Sequence, residues 1–165
     1  MTISLIAAVA KNGTIGNKGK IPLRLSDDMK YFATVTKGHT VVMGRKTYES
    51  ILKHLGKPLP NRTNIVVTKQ EDFNAPSCII AGNLNAAFKA ALNEKIFVIG
   101  GSQIYETALP FADKLYITHV DADIEGDVFF PKIDAKEWAK TGEDCHTKDD
   151  KNDYNYCFTI YERQR

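Results

Sequence analysis

Apolar and polar positions follow two different rhythms along this chain, and the switches between them predict its elements. Short apolar runs rich in β-branched residues fall at positions 3–9, 40–43, 64–68, 78–80, 95–99, 114–120 and 155–161, with the length and composition of buried strands. Between them, apolar residues recur every three or four positions at 27–35, 45–54, 84–92 and 102–109, which predicts helices. This alternation implies an α/β fold, with a central mixed, mostly parallel β-sheet flanked by about four helices. The last two runs have no strong helical pattern between them, so they are expected to pair antiparallel at one edge. No repeat, low-complexity tract or linker interrupts the pattern, and residues 1–165 are expected to form a single domain.

Two strand-to-helix junctions carry a chemical signal. One apolar run ends at Gly44 and is followed by Arg45-Lys46-Thr47; another ends at Gly100-Gly101 and is followed by Ser102-Gln103-Ile104-Tyr105. Glycine lets a ligand approach the backbone, and the free N–H groups at a helix start attract phosphate. A lone junction of this kind is ordinarily a turn, and neither stretch matches a dinucleotide fingerprint or a Walker A loop. Two of them in one small domain, one with two cations behind it, suit a diphosphate nucleotide spanning both helix starts.

A third signal follows a glycine- and lysine-rich loop at 16–25. Ser26 is expected to cap the next helix, whose dipole favours Asp27 and Asp28 in its first turn. Helical spacing sets Asp27 with Lys30 and Thr34 on a polar face, but Asp28 with Phe32 and Val35 on the apolar one. A carboxylate facing the core is costly unless it is paired. Asp28 is therefore the acid expected to meet a cationic or multi-donor ligand.

Composition narrows the partners. With 22 Lys and Arg against 20 Asp and Glu, the net charge of +2 gives no bulk electrostatic reason to expect nucleic acid or an anionic membrane surface. The N-terminal apolar run lacks the basic flank of a signal peptide, and no segment approaches the roughly 20 apolar residues of a membrane helix. Cys78, Cys145 and Cys157 are odd in number and lack Cys-x-x-Cys spacing, so reduced thiols in the cytoplasm are expected. Cys145-His146 offers only a fragment of a zinc site, and no metal is expected.

Taken together, the motifs resemble the dihydrofolate reductase family of the bacterial chromosomal type. The likeness runs through Ser4-Leu5-Ile6-Ala7-Ala8 with Ile15-Gly16, then Val42-Met43-Gly44-Arg45-Lys46-Thr47-Tyr48-Glu49-Ser50-Ile51 and Pro58-Leu59-Pro60-Asn61-Arg62. It continues through Val98-Ile99-Gly100-Gly101-Ser102-Gln103-Ile104-Tyr105, Leu115-Tyr116-Ile117-Thr118-His119 and Glu125-Gly126-Asp127-Val128-Phe129-Phe130-Pro131, covering essentially the whole chain.

The resemblance implies NADPH-dependent reduction of 7,8-dihydrofolate to tetrahydrofolate for one-carbon metabolism, with hydride added at pterin C6 and a proton at N5. It implies that Asp28 accepts hydrogen bonds from the pterin 2-amino group and N3 and promotes protonation of N5. Thr118 would bond both the carboxylate and the pterin. Ile6, Ala7, Leu25, Phe32, Ile51 and Leu59 would wall the folate, and Arg62 would pair with the glutamate-tail carboxylate. For the cofactor, it implies one phosphate-binding helix start at Gly44, Arg45, Lys46 and Thr47. The other comprises Ile99, Gly100, Gly101, Ser102, Gln103 and Ile104, with a cis Gly100–Gly101 bond. Ala8, Ile15, Gly16 and Tyr105 would lie near the nicotinamide. Arg45, Lys46 and the Thr68-Lys69 pair would reach the 2′-phosphate, although Lys69 is equally a plain loop lysine. Antifolates are expected to bind at the Asp28 site, and a monomer is the family's usual state.

Several positions depart from the family pattern. Pro22-Leu23 stands where Pro-Trp is usual, Arg24 replaces Asn or His, Ser26 replaces a common proline, and the 52–57 segment is longer than usual. The family's indole at position 23 helps hold water beside the pterin, so Leu23 is grouped with the catalytic positions. Water exclusion is expected to fall to the 16–23 loop. Two other readings remain: a reductase of another pterin or of a pyrimidine-type ribityl compound, and a nucleotide-binding protein without turnover.

Overall fold

In a computed structural model of the chain, which describes residues 1–17, 23–91 and 95–165, the apolar runs assemble into one eight-stranded sheet. The strands are β1 (Thr2–Ala10), β2 (Thr14–Gly16), β3 (Thr40–Gly44), β4 (Thr63–Val67), β5 (Ile79–Ala81), β6 (Lys95–Val98), β7 (Lys114–Val120), β8 (Val128–Phe129), β9 (Trp138–His146) and β10 (Tyr156–Arg163). The helices are α1 (Ser26–Thr36), α2 (Arg45–Leu55), α3 (Leu84–Ala90) and α4 (Ser102–Ala108). The sheet order is β5-β4-β3-β6-β1-β7-β10-β9, and β2 and β8 form a separate ribbon. All pairs from β5 to β7 are parallel, while β10 is antiparallel to both β7 and β9. The sheet is therefore mixed and mostly parallel, with the antiparallel edge at its C-terminal end.

Helices cover both faces, which is why the central strands are apolar almost without a break. Alternate side chains of each strand enter different clusters. Leu5, Val42, Ile96, Val98, Leu115 and Ile117 pack under α3 and α4, beside Leu84, Phe88 and Tyr105. Ile6, Val41, Met43, Val66 and Phe97 pack under α1 and α2, beside Phe32, Val35, Tyr48 and Ile51. β6 lies between β3 and β1; the chain leaves β1 toward β3 but leaves β6 toward β7, on the other side of β1. Connections that part in this way open a crevice at the carboxyl ends of the strands, the usual ligand site of an open α/β sheet.

Four expectations need correction. β9 was not legible as a strand because Trp138 is its one fully buried residue and Thr141-Gly142-Glu143-Asp144 reads as polar. It is the outer edge strand, where charge is favoured because it blocks edge-to-edge pairing. Cys145 and Cys157 stand directly opposite each other in the β9–β10 register and are joined by a disulfide, which leaves Cys78 as the free thiol. Spacing along the sequence carried no sign of a hairpin register that places them side by side. Ser26 does not cap α1: the cap position falls on Leu25, and no side chain of the helix's own start bonds there. The helix expected over 84–92 ends at Ala90, its last position lying outside the described residues.

Candidate active site

α1 brings Asp28 against the second half of β7, where Thr118 Oγ1 donates to Asp28 Oδ1 at 2.5 Å. Thr118 is 2% exposed, and Asp28 is half-buried. Burial pushes the Asp28 carboxyl above its ordinary value, and the Thr118 hydrogen bond pulls it part of the way back. A carboxyl displaced upward in a cleft can hold or pass a proton closer to neutral pH than a solvated one. Tyr105, fully buried at the start of α4, donates its hydroxyl to Ile6 O at 2.7 Å and ties that helix to β1 beside the same crevice.

The start of α1 is secured from a distance. Ser26 N–H donates to Lys151 O at 3.2 Å, Asp27 N–H donates to Asn152 Oδ1 at 3.0 Å, and Tyr156 OH donates to Asp27 Oδ2 at 2.8 Å. Burial and the neighbouring Asp27 carboxylate push the Tyr156 phenol up to about 12, so it stays a donor. Asn152 and Tyr156 went unnoticed in the sequence. They lie more than a hundred residues from the helix they support, and no local motif marks them.

The residues that the resemblance assigns to the folate wall fall in three packing clusters. Ile6, Phe32, Ile51 and Leu59 share the α1–α2 cluster. Ala7 packs in the cluster of the opposite face, and Leu25 packs with Leu23, Val120 and Tyr156 in a third. Arg62 rises beside Phe32, its guanidinium carbon 5.9 Å from the ring centroid. It donates from Nε to Pro60 O at 2.8 Å and from Nη1 to Thr36 Oγ1 at 3.0 Å. A guanidinium has five N–H donors in a fixed fork, so this anchored one keeps donors for a carboxylate.

Beyond the carboxyl ends of β3 and β6, the two glycine junctions meet. Gly44 N–H donates to Gly100 O at 2.9 Å, and the Gly100–Gly101 peptide is cis. A Cβ at Gly44 would stand 3.2 Å from Ile104 Cγ1, and one at Gly100, whose φ is +118°, would stand 3.2 Å from the Tyr105 ring. A side chain at Gly44 or Gly100 would crowd Ile104 or Tyr105, whereas one at Gly101 would make only an ordinary contact with Thr47. Neither α2 nor α4 has a side-chain cap hydrogen bond, so the first N–H groups of both remain for an anion. Ile99, Ser102 and Gln103 complete the α4 start, while Gly101 faces Thr47 Oγ1. Arg45 is held by Glu49 at 2.6 Å, whereas Lys46 and Lys69 are exposed. Thr68 Oγ1 accepts from Gln70 N–H at 3.1 Å. Ile15 packs in the Tyr105 cluster, Gly16 pairs with Val128, and Ala8 lies opposite Thr118 in the β1–β7 register. Of the loop expected to exclude water, residues 18–22 lie outside those described. A separate cavity of about 710 Å³, lined by Val9, His119, Phe130 and the Cys145–Cys157 pair, contains neither Asp28 nor Arg62.

A mostly parallel sheet with a switch-point crevice, two bare glycine-led helix starts and a half-buried acid at the carboxyl ends of its strands defines a nucleotide-dependent enzyme of the open α/β class. The comparisons make this specific. The dihydrofolate reductase family model matches residues 2–163. The chain is 43% identical to the dihydrofolate reductase of Staphylococcus haemolyticus, covering 100% of this chain and 98% of that one. It is 42% identical to the dihydrofolate reductase of Bacillus subtilis, covering 98% and 95%. A solved structure, dihydrofolate reductase from Enterococcus faecalis complexed with NADP(H) and RAB-propyl, superposes with a TM-score of 0.90 at 35% identity, covering 99% of this chain and 97% of that one. The chain belongs to the dihydrofolate reductase family. No described helix is long and apolar enough to cross a membrane.

Proposed function

We propose that the chain reduces 7,8-dihydrofolate to 5,6,7,8-tetrahydrofolate with NADPH. The observation that carries this reading is the half-buried Asp28–Thr118 pair at the second half of β7 together with two helix starts without side-chain caps at the carboxyl ends of β3 and β6. The residues present suit the cofactor: the two helix starts joined by the Gly44–Gly100 contact carry no side-chain caps, and Lys46 is exposed in the first turn of α2. When bound, NADPH supplies the hydride that pterin C6 receives.

The chain's own residues do the rest. Asp28 accepts from the pterin 2-amino group and N3, which fixes the ring and favours its protonation at N5. Thr118 holds the carboxylate in that orientation. Ile6, Phe32, Ile51 and Leu59 give the apolar wall, and Arg62 takes the glutamate-tail carboxylate with its remaining donors. Ligands that present the same 2-amino donors, antifolates among them, compete for Asp28. The enzyme acts as a monomer in the cytoplasm, where NADPH is regenerated. Mixing protein, NADPH and dihydrofolate tests the reading: loss of NADPH absorbance at a rate proportional to protein is expected. NADPH binding without turnover would overturn it and leave a nucleotide-binding protein.

A further inference from the structure

α1 carries Asp28, yet its N-cap residue supplies no side-chain hydrogen bond to the first turn. Leu25 at the cap position has no polar side chain, and the cap comes instead from the 149–156 segment. Asn152 is 1% exposed and its amide is used at both ends. Its Oδ1 accepts from Asp27 N–H at 3.0 Å, and its Nδ2 donates to Asp149 Oδ1 at 2.9 Å. Asp149 Oδ1 also accepts from the backbone N–H groups of Lys151 and Asn152, both at 2.9 Å. One carboxylate oxygen thus closes the turn and sets the rotation of the Asn152 side chain. Leu25 bridges to Asn152 in a short antiparallel contact, and Asp153 N–H donates to Arg24 O at 3.0 Å, so the chain entering α1 is held by the same turn.

The neighbour on the helix is Asp28. A rotation of the first turn would carry its carboxylate away from Thr118, which is fixed on the central strand β7. We propose that Asn152, oriented by Asp149, is a positioning residue that sets the direction of Asp28 toward the pterin. The inference rests on the assignment of Asp28 to the pterin. It separates two ligands that share the crevice: a misdirected Asp28 weakens pterin-type binding, while the α2 and α4 helix starts that hold the cofactor are untouched.

The test compares dissociation constants for methotrexate and for NADPH in Asn152→Ala, Asp149→Ala, Asp149→Asn and Asp28→Asn. Asn152→Ala and Asp149→Ala are expected to weaken methotrexate by about tenfold or more, the scale of one charge-assisted hydrogen bond, with NADPH within about twofold. Asp149→Asn keeps an amide oxygen for the same three N–H donors and is expected to restore methotrexate affinity. If Asn152→Ala fails to fold, the two Asp149 variants decide. Equal weakening of both ligands, or unchanged methotrexate affinity in Asp149→Ala, overturns the inference. Unchanged methotrexate affinity in Asp28→Asn overturns instead the assignment of Asp28 to the pterin.

Discussion

Replacing Thr118 with valine removes one donor and almost nothing else. The two side chains are nearly the same size, and the position is 2% exposed, so no cavity opens and no water replaces the hydroxyl. The loss is the 2.5 Å bond to Asp28. A hydrogen bond to an ionised group is worth about 1.5–3 kcal/mol, and one between neutral groups about 0.5–1.5 kcal/mol. Thr118→Val therefore costs more where Asp28 is charged than where it is neutral. Asp28 has a raised folded value relative to its ordinary 3.8, so the folded state holds this proton more tightly than the unfolded chain. Stability falls as pH rises from 3.8 through that raised value, and the substitution steepens the fall because the bond that favours the charged form is gone. Thermal unfolding of both proteins across this range measures the effect. At about 2–4 °C per kcal/mol for a chain of this size, the difference in melting temperature should widen by several degrees from acid to neutral pH. A difference that stays constant, or grows toward acid, refutes the assignment of Thr118 as donor to the Asp28 carboxylate.

Three further perturbations address other parts of the site. Arg62→Leu removes the guanidinium but keeps a side chain beside Phe32; the KM for dihydrofolate should rise by about 10- to 150-fold, with the KM for NADPH unchanged, in steady-state kinetics. A Cβ at Gly126 would lie 2.5 Å from the Gly16 carbonyl oxygen and closer still to Thr14 Cγ2, so Gly126→Ala should push the 124–128 segment off β2. Loss of turnover with a melting temperature that still shows a cooperative fold is the expected result, and wild-type kinetics would contradict it. The Cys145–Cys157 bond closes a loop of sequence separation 12, worth up to about 3 kcal/mol in chain entropy. Reductant should therefore lower the melting temperature, and a thiol titration should rise from one group to three.

The sheet was legible because its central strands are covered on both faces, and runs such as Thr40–Gly44 need no tertiary information to be recognised. β9 was hidden because an edge strand with one buried residue has no apolar rhythm to show. The position of Asp28 followed from its helical spacing with Phe32 and Val35, since a carboxylate on an apolar face announces an unmet need for a partner. What holds Asp28 in place was out of reach. Asn152 and Tyr156 look like ordinary loop and strand residues until the hairpin register brings them to the start of α1. The same register made a disulfide of two cysteines whose spacing suggested nothing. Ser26 had the right chemistry for a cap, but the chain begins its helix one residue earlier and draws its cap from across the fold.

The central claim is that Asp28 governs protonation of the substrate during reduction, and the pH dependence of turnover in Asp28→Asn tests it directly. Asparagine keeps the size of the side chain but has no carboxylate to favour a protonated pterin. Turnover of dihydrofolate with NADPH should be largely lost at neutral pH and partly recovered in acid, where the substrate arrives already protonated. Full activity of this variant at neutral pH would contradict the account.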